Sequence, residues 1–168
     1  MSKDCLPRSV IMLKWLGLSL LILVLDQVSK LWVIAHFRLY ESVEILPSVN
    51  LTYVHNMGAA FSFLSSAGGW QRWFFVAIAI IAVIVIVVWL SRLKPNEKWM
   101  AVTLSLILGG AVGNLYDRIS YGYVVDFIDV YYGSHHWPVF NVADSAISIG
   151  VLMMLIDIFR GEDSKTAK

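Results

Sequence analysis

Between Trp73 and Leu90 the chain carries no charged residue and includes the unbroken apolar run Val76-Ala-Ile-Ala-Ile-Ile-Ala-Val-Ile-Val-Ile-Val-Val-Trp-Leu90. A helix needs about 20 mostly apolar residues to cross roughly 30 Å of hydrocarbon. Three further stretches meet that requirement: residues 11–34, interrupted by Asp26 and Lys30; 99–115, which runs into Asp117-Arg118; and 142–159, with Asp144 at its start and Asp157 near its end. Hydrophobic residues make up 58% of the 168 and charged ones only 15%, against roughly 45–50% and about 25% in soluble domains. The expected class is an all-α membrane protein of four transmembrane helices, with residues 1–168 forming one integral membrane domain. The 13 basic and 12 acidic residues nearly cancel, so no polyanion-seeking charge points to nucleic acid. Cys5 is the single cysteine and permits no internal disulfide.

The first apolar stretch has basic residues before it but no small-x-small site after Leu25, so it reads as a retained helix rather than a cleaved leader. Lys3, Arg8, Lys14, Arg92, Lys94, Lys98, Arg160, Lys165 and Lys168 fall at one side of the four spans. Lys30, Arg38, Arg72 and Arg118 fall at the other, so nine of the 13 basic residues share a side. That bias places both termini in the cytoplasm and residues 35–72 and 117–141 outside. Within those outer loops, Asn50–Asn56 and Val124–Tyr132 are rich in β-branched and aromatic residues with partial alternation, a strand signal. They predict a small extramembrane β-sheet that, with loop or helix segments, caps the outer end of the bundle. Trp70, Trp73, Tyr121, Tyr123, Tyr131, Tyr132 and Trp137 gather near the outer boundary, where amphipathic rings prefer to lie.

Charges at or inside a bilayer are expensive, so each requires a partner or a task. Gly109 and Gly113 have the spacing that lets a second helix approach closely. Asn114 and Arg118 are four apart and share a helix face; the segment reads either as helix packing with an Asp117–Arg118 interfacial anchor or as part of a polar site. If Val124–Tyr132 is extended, Asp126 shares a face with Val124, Ile128 and Val130, while Asp129 points the other way. A carboxyl on an apolar face is desolvated and favours its protonated form. Asn141 is a candidate N-cap, which puts Asp144 near the third position of a helix, where the macrodipole favours the anion. Two aspartates in such unlike surroundings, or sharing one proton, suit amide hydrolysis by an activated water. Taken singly, Asp144 reads first as a capping carboxylate; it is the pair that points to chemistry.

Competing chemistries are weaker. Ser29 and Lys30 are adjacent, so on a helix they diverge by about 100° and cannot readily form a dyad. His36, His55, His135 and His136 lack the zinc-binding H-E-x-x-H spacing and read as solvated or interfacial. Neither a metal nor a cofactor is expected.

The motifs Asp26-Gln-Val-Ser-Lys30, Asn56-Met-Gly-Ala-Ala-Phe-Ser62, Gly109-Gly-Ala-Val-Gly-Asn-Leu-Tyr-Asp-Arg118, Val124-Val-Asp-Phe-Ile128 and Phe140-Asn-Val-Ala-Asp-Ser145 stand in the order found in bacterial lipoprotein signal peptidases, the signal peptidase II family. The chain resembles that family from its first span to its last. The resemblance implies an aspartic endopeptidase of the bacterial cytoplasmic (inner) membrane, with its site near the periplasmic face. It would cut the signal peptide from prolipoproteins before a diacylglyceryl-modified cysteine. By position, the catalytic pair falls on Asp126 and Asp144. Binding and support residues fall on Asp26, Lys30, Asn56, Gly58, Asn114, Arg118 and Asn141, with no departure from the family pattern. The implied partners are lipid-modified prolipoproteins, membrane lipids and globomycin-type cyclic peptide inhibitors. Gly58-Ala-Ala-Phe61 suits either a close backbone approach to substrate or a lid, or equally loop-to-helix packing. A small proton or solute carrier using Asp26, Asp126 and Asp144 as a relay is the alternative. It lacks the inverted repeats of many transporters.

Overall fold

The computed structural model describes residues 8–58 and 70–166, with side chains described over 14–58 and 70–159. Lys3, Cys5, Lys168, residues 59–61 and the Gly68-Gly69 pair lie outside the described residues. Four helices, α1 (Arg8–His36), α2 (Trp70–Arg92), α3 (Lys98–Ser120) and α4 (Val142–Thr166), each contain a stretch long and apolar enough to cross a membrane. In α3 half of that stretch (50%) is buried inside the protein, against 17–22% in the others. So α3 is the central post, and the other helices turn most of their apolar surface outward, as a lipid solvent requires.

Glycines let α3 take that central place. A Cβ at Gly109 would lie 2.6 Å from the Ser19 carbonyl oxygen and one at Gly113 would lie 2.5 Å from Asp26 Oδ2, both on α1. A Cβ at Gly110 would collide with the Ala143 carbonyl oxygen of α4. Small residues are what allow helices to pack closely in lipid, where apolar burial supplies no net drive. The Ser19 hydroxyl adds an interhelical hydrogen bond to the Ser105 carbonyl at 3.0 Å.

α3 continues past residue 115 to Ser120, so Asp117 and Arg118 are helical rather than the first residues of an outer loop. Nothing between Asn114 and Ser120 breaks a helix. The chain turns at Gly122, whose φ of +87° favours glycine.

At the end of the bundle where α1 stops and α4 starts lies a four-stranded antiparallel sheet. Its order is β1 (Ser42–Leu46), β2 (Val49–Asn56), β3 (Val124–Tyr132) and β4 (His135–His136). β2 and β3 cover the two segments with strand signals; β1, exposed throughout, and the two-residue β4 are additions that the alternation pattern did not single out. Val125 and Phe127 of β3 pack with Tyr53 of β2 against Val33 and Phe37 at the end of α1. The opposite face of β3 therefore presents Val124 and Asp126 to a cavity beside α3 and α4.

Candidate active site

The start of α4 is organised by its own sequence. Asn141 is the N-cap: its Oδ1 accepts the Asp144 backbone N–H at 2.8 Å, and its backbone N–H donates to Asp144 Oδ2 at 3.3 Å. This is a capping box with aspartate in the third helical position. It fixes the Asp144 side chain at the mouth of the span, beside the positive end of the helix dipole.

Asp126 arrives from the sheet, opposite Val54 in the register, and is only 2% exposed. Its Oδ2 accepts a hydrogen bond from Asn56 Nδ2 at 2.9 Å and its Oδ1 one from Asn141 Nδ2 at 2.7 Å. Burial, reinforced by the charge of Asp144, pushes this carboxyl from its ordinary value of 3.8 up to about 7, against the opposite pull of the two amide hydrogen bonds. Asp126 and Asp144 both line one cavity of about 820 Å³, together with Asn56, Asn114, Arg118 and the apolar Val54, Met57, Val139, Ile147 and Ile149.

Asn141 thus touches both acids, and Asn114 extends the link. Its Nδ2 donates to Asp144 Oδ1 at 2.7 Å, while its Oδ1 accepts from Asn141 Nδ2 at 3.2 Å and from Lys30 Nζ at 3.1 Å. With an ammonium and an amide N–H₂ converging on one end of the Asn114 side chain, the other end must be the donor. Asp144 therefore receives an N–H rather than facing a carbonyl oxygen.

Lys30 itself is 1% exposed and is held by Asp26 Oδ2 at 2.8 Å and Asp117 Oδ2 at 2.9 Å. Two buried carboxyl groups share one ammonium, and neutral donors complete their hydrogen bonding. Asp26 Oδ1 takes the Ala143 backbone N–H at 2.9 Å, from the first turn of α4, and Asp117 Oδ2 takes that of Val125 at 3.1 Å. Gln27 Nε2 bridges the two acids at 3.1 and 3.0 Å. Among the described residues no buried side-chain nitrogen or oxygen lacks a partner, as a polar network in a low-dielectric bundle requires.

Arg118 donates to the Gly58 carbonyl at 3.3 Å and to the Asn114 carbonyl at 3.2 Å, with Phe75 of α2 beneath its guanidinium at 5.5 Å. Gly58 in turn donates its N–H to Asn56 Oδ1 at 3.0 Å, which orients the amide that meets Asp126.

All nine candidate positions therefore belong to one connected network, although they come from α1, β2 and its exit, α3, β3 and α4. Asp117 has a place there that the Asp117–Arg118 anchor reading missed: it is fully buried and paired with Lys30 of α1, while Arg118 reaches the cavity. Gln27 was not singled out at all. The signal for Asp117 was available in principle, since Asp26, Lys30 and Asp117 are ionisable groups within or at the edge of apolar spans and each requires a partner; Gln27 carries no such signal. The Ser29 hydroxyl donates to the Asp26 carbonyl at 2.8 Å, so its one described hydrogen bond runs along its own helix rather than to Lys30. His55 is less solvated than a free surface ring: it stacks on Tyr123 at 3.6 Å and bonds the Tyr53 hydroxyl at 2.8 Å, whereas His136 is exposed as expected and bonds Asp129. Among the described residues no group of three or more His, Cys, Asp or Glu could hold a metal ion.

These features define a multi-pass membrane protein in which two acidic side chains, one from a sheet and one from a helix terminus, share a cavity at the bundle's end. The family model described as signal peptidase (SPase) II matches residues 18–160, and the chain belongs to that family of membrane peptidases. It is 56% identical to the lipoprotein signal peptidase of Pseudoalteromonas translucida, over 93% of this chain and 94% of the relative. With that of Alteromonas mediterranea it shares 53% identity over 92% and 85%, and with that of Pseudomonas putida 51% over 91% of each. Its fold is similar to that of a bacterial membrane enzyme solved by the in meso method at 2.3 Å resolution, with a TM-score of 0.83, 33% identity, and coverage of 92% and 93%.

Proposed function

We propose that this chain removes the signal peptide from lipid-modified prolipoproteins, cutting before the diacylglyceryl-bearing cysteine with Asp126 and Asp144 as the catalytic pair. The observation that carries the reading is the shared cavity: two carboxyl groups from separate elements line one open cavity, and burial pushes that of Asp126 up to about 7. The relatives named above are lipoprotein signal peptidases, which favours this reading over a proton or solute carrier.

In the proposed reaction Asp144 enters as the carboxylate and Asp126 as the acid. A water between them attacks the scissile carbonyl carbon and passes a proton to Asp144, while Asp126 protonates the carbonyl oxygen. As the resulting gem-diol collapses, Asp126 recovers a proton from a hydroxyl and Asp144 delivers its own to the leaving nitrogen. Both acids then stand as they began. Asn56, Asn114 and Asn141 keep the two carboxyl groups in fixed orientations, so little reorganisation accompanies the proton transfers. Ile147, Ile149, Met57 and Val139 give the cavity an apolar side suited to acyl chains.

The sheet end would face the periplasm and both termini the cytoplasm of a bacterial inner membrane. The basic residues Arg92, Lys94 and Lys98 near the α2–α3 turn, at the end away from the sheet, support that orientation. A globomycin-type cyclic peptide would compete for the same cavity. The test is cleavage of a diacylglyceryl-modified prolipoprotein by the purified protein in detergent. Asp126→Asn and Asp144→Asn should each abolish turnover; near-normal cleavage by either variant overturns the assignment.

A further inference from the structure

One buried carboxylate takes no part in the network around the cavity. Asp129 lies on the face of β3 opposite Asp126, is 4% exposed, and pairs in register with Asn50 of β2. Its Oδ2 accepts from Asn50 Nδ2 at 3.1 Å and from Thr52 Oγ1 at 3.2 Å, and its Oδ1 accepts from His136 Nδ1 at 2.8 Å. Those donors hold the carboxyl below its ordinary 3.8, although burial alone would raise it. His136 also stacks on Tyr131 with ring centres 5.2 Å apart.

The chain that follows His136 matters more than the pair itself. Trp137, Pro138, Val139 and Phe140 line the cavity, and Asn141, the residue that touches both proposed catalytic acids, comes next. This four-residue arch is fastened to β3 at each end by backbone hydrogen bonds: Trp137 N–H to the Val130 carbonyl at 2.8 Å, and Phe140 N–H to the Ile128 carbonyl at 3.0 Å. β4 is only two residues long, too short to hold its end of the arch by strand pairing alone. The hydrogen bond that His136 donates to the buried Asp129 carboxylate supplies the missing anchor.

We propose that Asp129 and His136 are positioning residues that set the shape of the cavity wall formed by Trp137–Phe140, and so govern how tightly the substrate segment beside the scissile bond is held. The inference rests on the peptidase reading of the cavity. Releasing the clasp loosens the outer end of the arch while Phe140 and Asn141 stay pinned, so binding suffers and the chemical step does not.

The experiment is steady-state cleavage of a diacylglyceryl-modified prolipoprotein by full-length wild type, His136→Leu, His136→Gln, Asp129→Ala and the double variant. His136→Leu and Asp129→Ala should each raise KM about fivefold with kcat within about twofold, the size of one charge-assisted hydrogen bond at a partly exposed site. The double variant should be no worse than either single one. His136→Gln keeps a donor and should stay near the wild-type KM. An unchanged KM in His136→Leu overturns the inference, as does a fall in kcat that tracks lost thermal stability. Wild-type protein that cleaves no prolipoprotein overturns the peptidase reading instead, so the two failures are distinguishable.

Discussion

The ammonium of Lys30 lies 3.1 Å from Oδ1 of Asn114, and that contact decides which end of the Asn114 amide meets Asp144. A charge cluster inside the bundle thereby reaches the proposed catalytic pair through one side chain. Removing a buried pair's partner leaves an uncompensated charge and costs about 3–5 kcal/mol. Lys30→Met should therefore destabilise the fold by that order, read as a lower thermal unfolding midpoint in detergent, and adding Asp117→Asn should recover part of the loss. A single variant as stable as wild type would mean that Asp26 and Asp117 are not both charged in the folded protein.

Asn141 has two separable duties, capping α4 and donating to Asp126. Asn141→Ser keeps a side-chain oxygen able to cap but cannot reach Asp126, whereas Asn141→Ala loses both. Turnover should fall about 100-fold in either variant, as expected when a reacting group loses its alignment. Thermal unfolding should separate them, with Ala roughly 1 kcal/mol less stable than Ser.

The pH dependence has a definite sign. Asp126 titrates near 7 in the fold, above its ordinary 3.8, so the folded state holds this proton more tightly than the unfolded chain. Its contribution to stability is complete below about pH 4 and declines as pH rises through about 7, by up to about 4 kcal/mol. Asp126→Asn should accordingly be more stable than wild type at pH 8, with the gap closing toward pH 5, as read by thermal unfolding. If Asp126 acts as the acid, kcat/KM for lipoprotein cleavage should fall on the alkaline side of about pH 7, with a limb that belongs to the pair rather than to one residue.

How much of this is legible in the chain depends on the range of the interaction. The four apolar spans can be read locally, because a hydrocarbon slab demands length and apolarity of each segment by itself. The capping relation of Asn141 and Asp144 is local too, three residues apart in one turn, and the β-branched segments that become β2 and β3 carry their own strand signal. Asp117 shows the limit. Beside Arg118 it looks like half of an interfacial anchor, yet rotation around α3 sends the two side chains to different surroundings, Asp117 toward Lys30 of α1 and Arg118 toward the cavity.

The amino-acid order by itself determined that the chain crosses a membrane, where it crosses, and which acids sit in unlike local settings. Only the tertiary structure decided that Asp126 and Asp144, 18 residues apart, face one cavity, and that Lys30 is shared between Asp26 and Asp117. The physical reason is that both meetings depend on how closely α1 and α4 approach α3 at Gly109, Gly110 and Gly113. Helical periodicity is compatible with many such packings and specifies none of them.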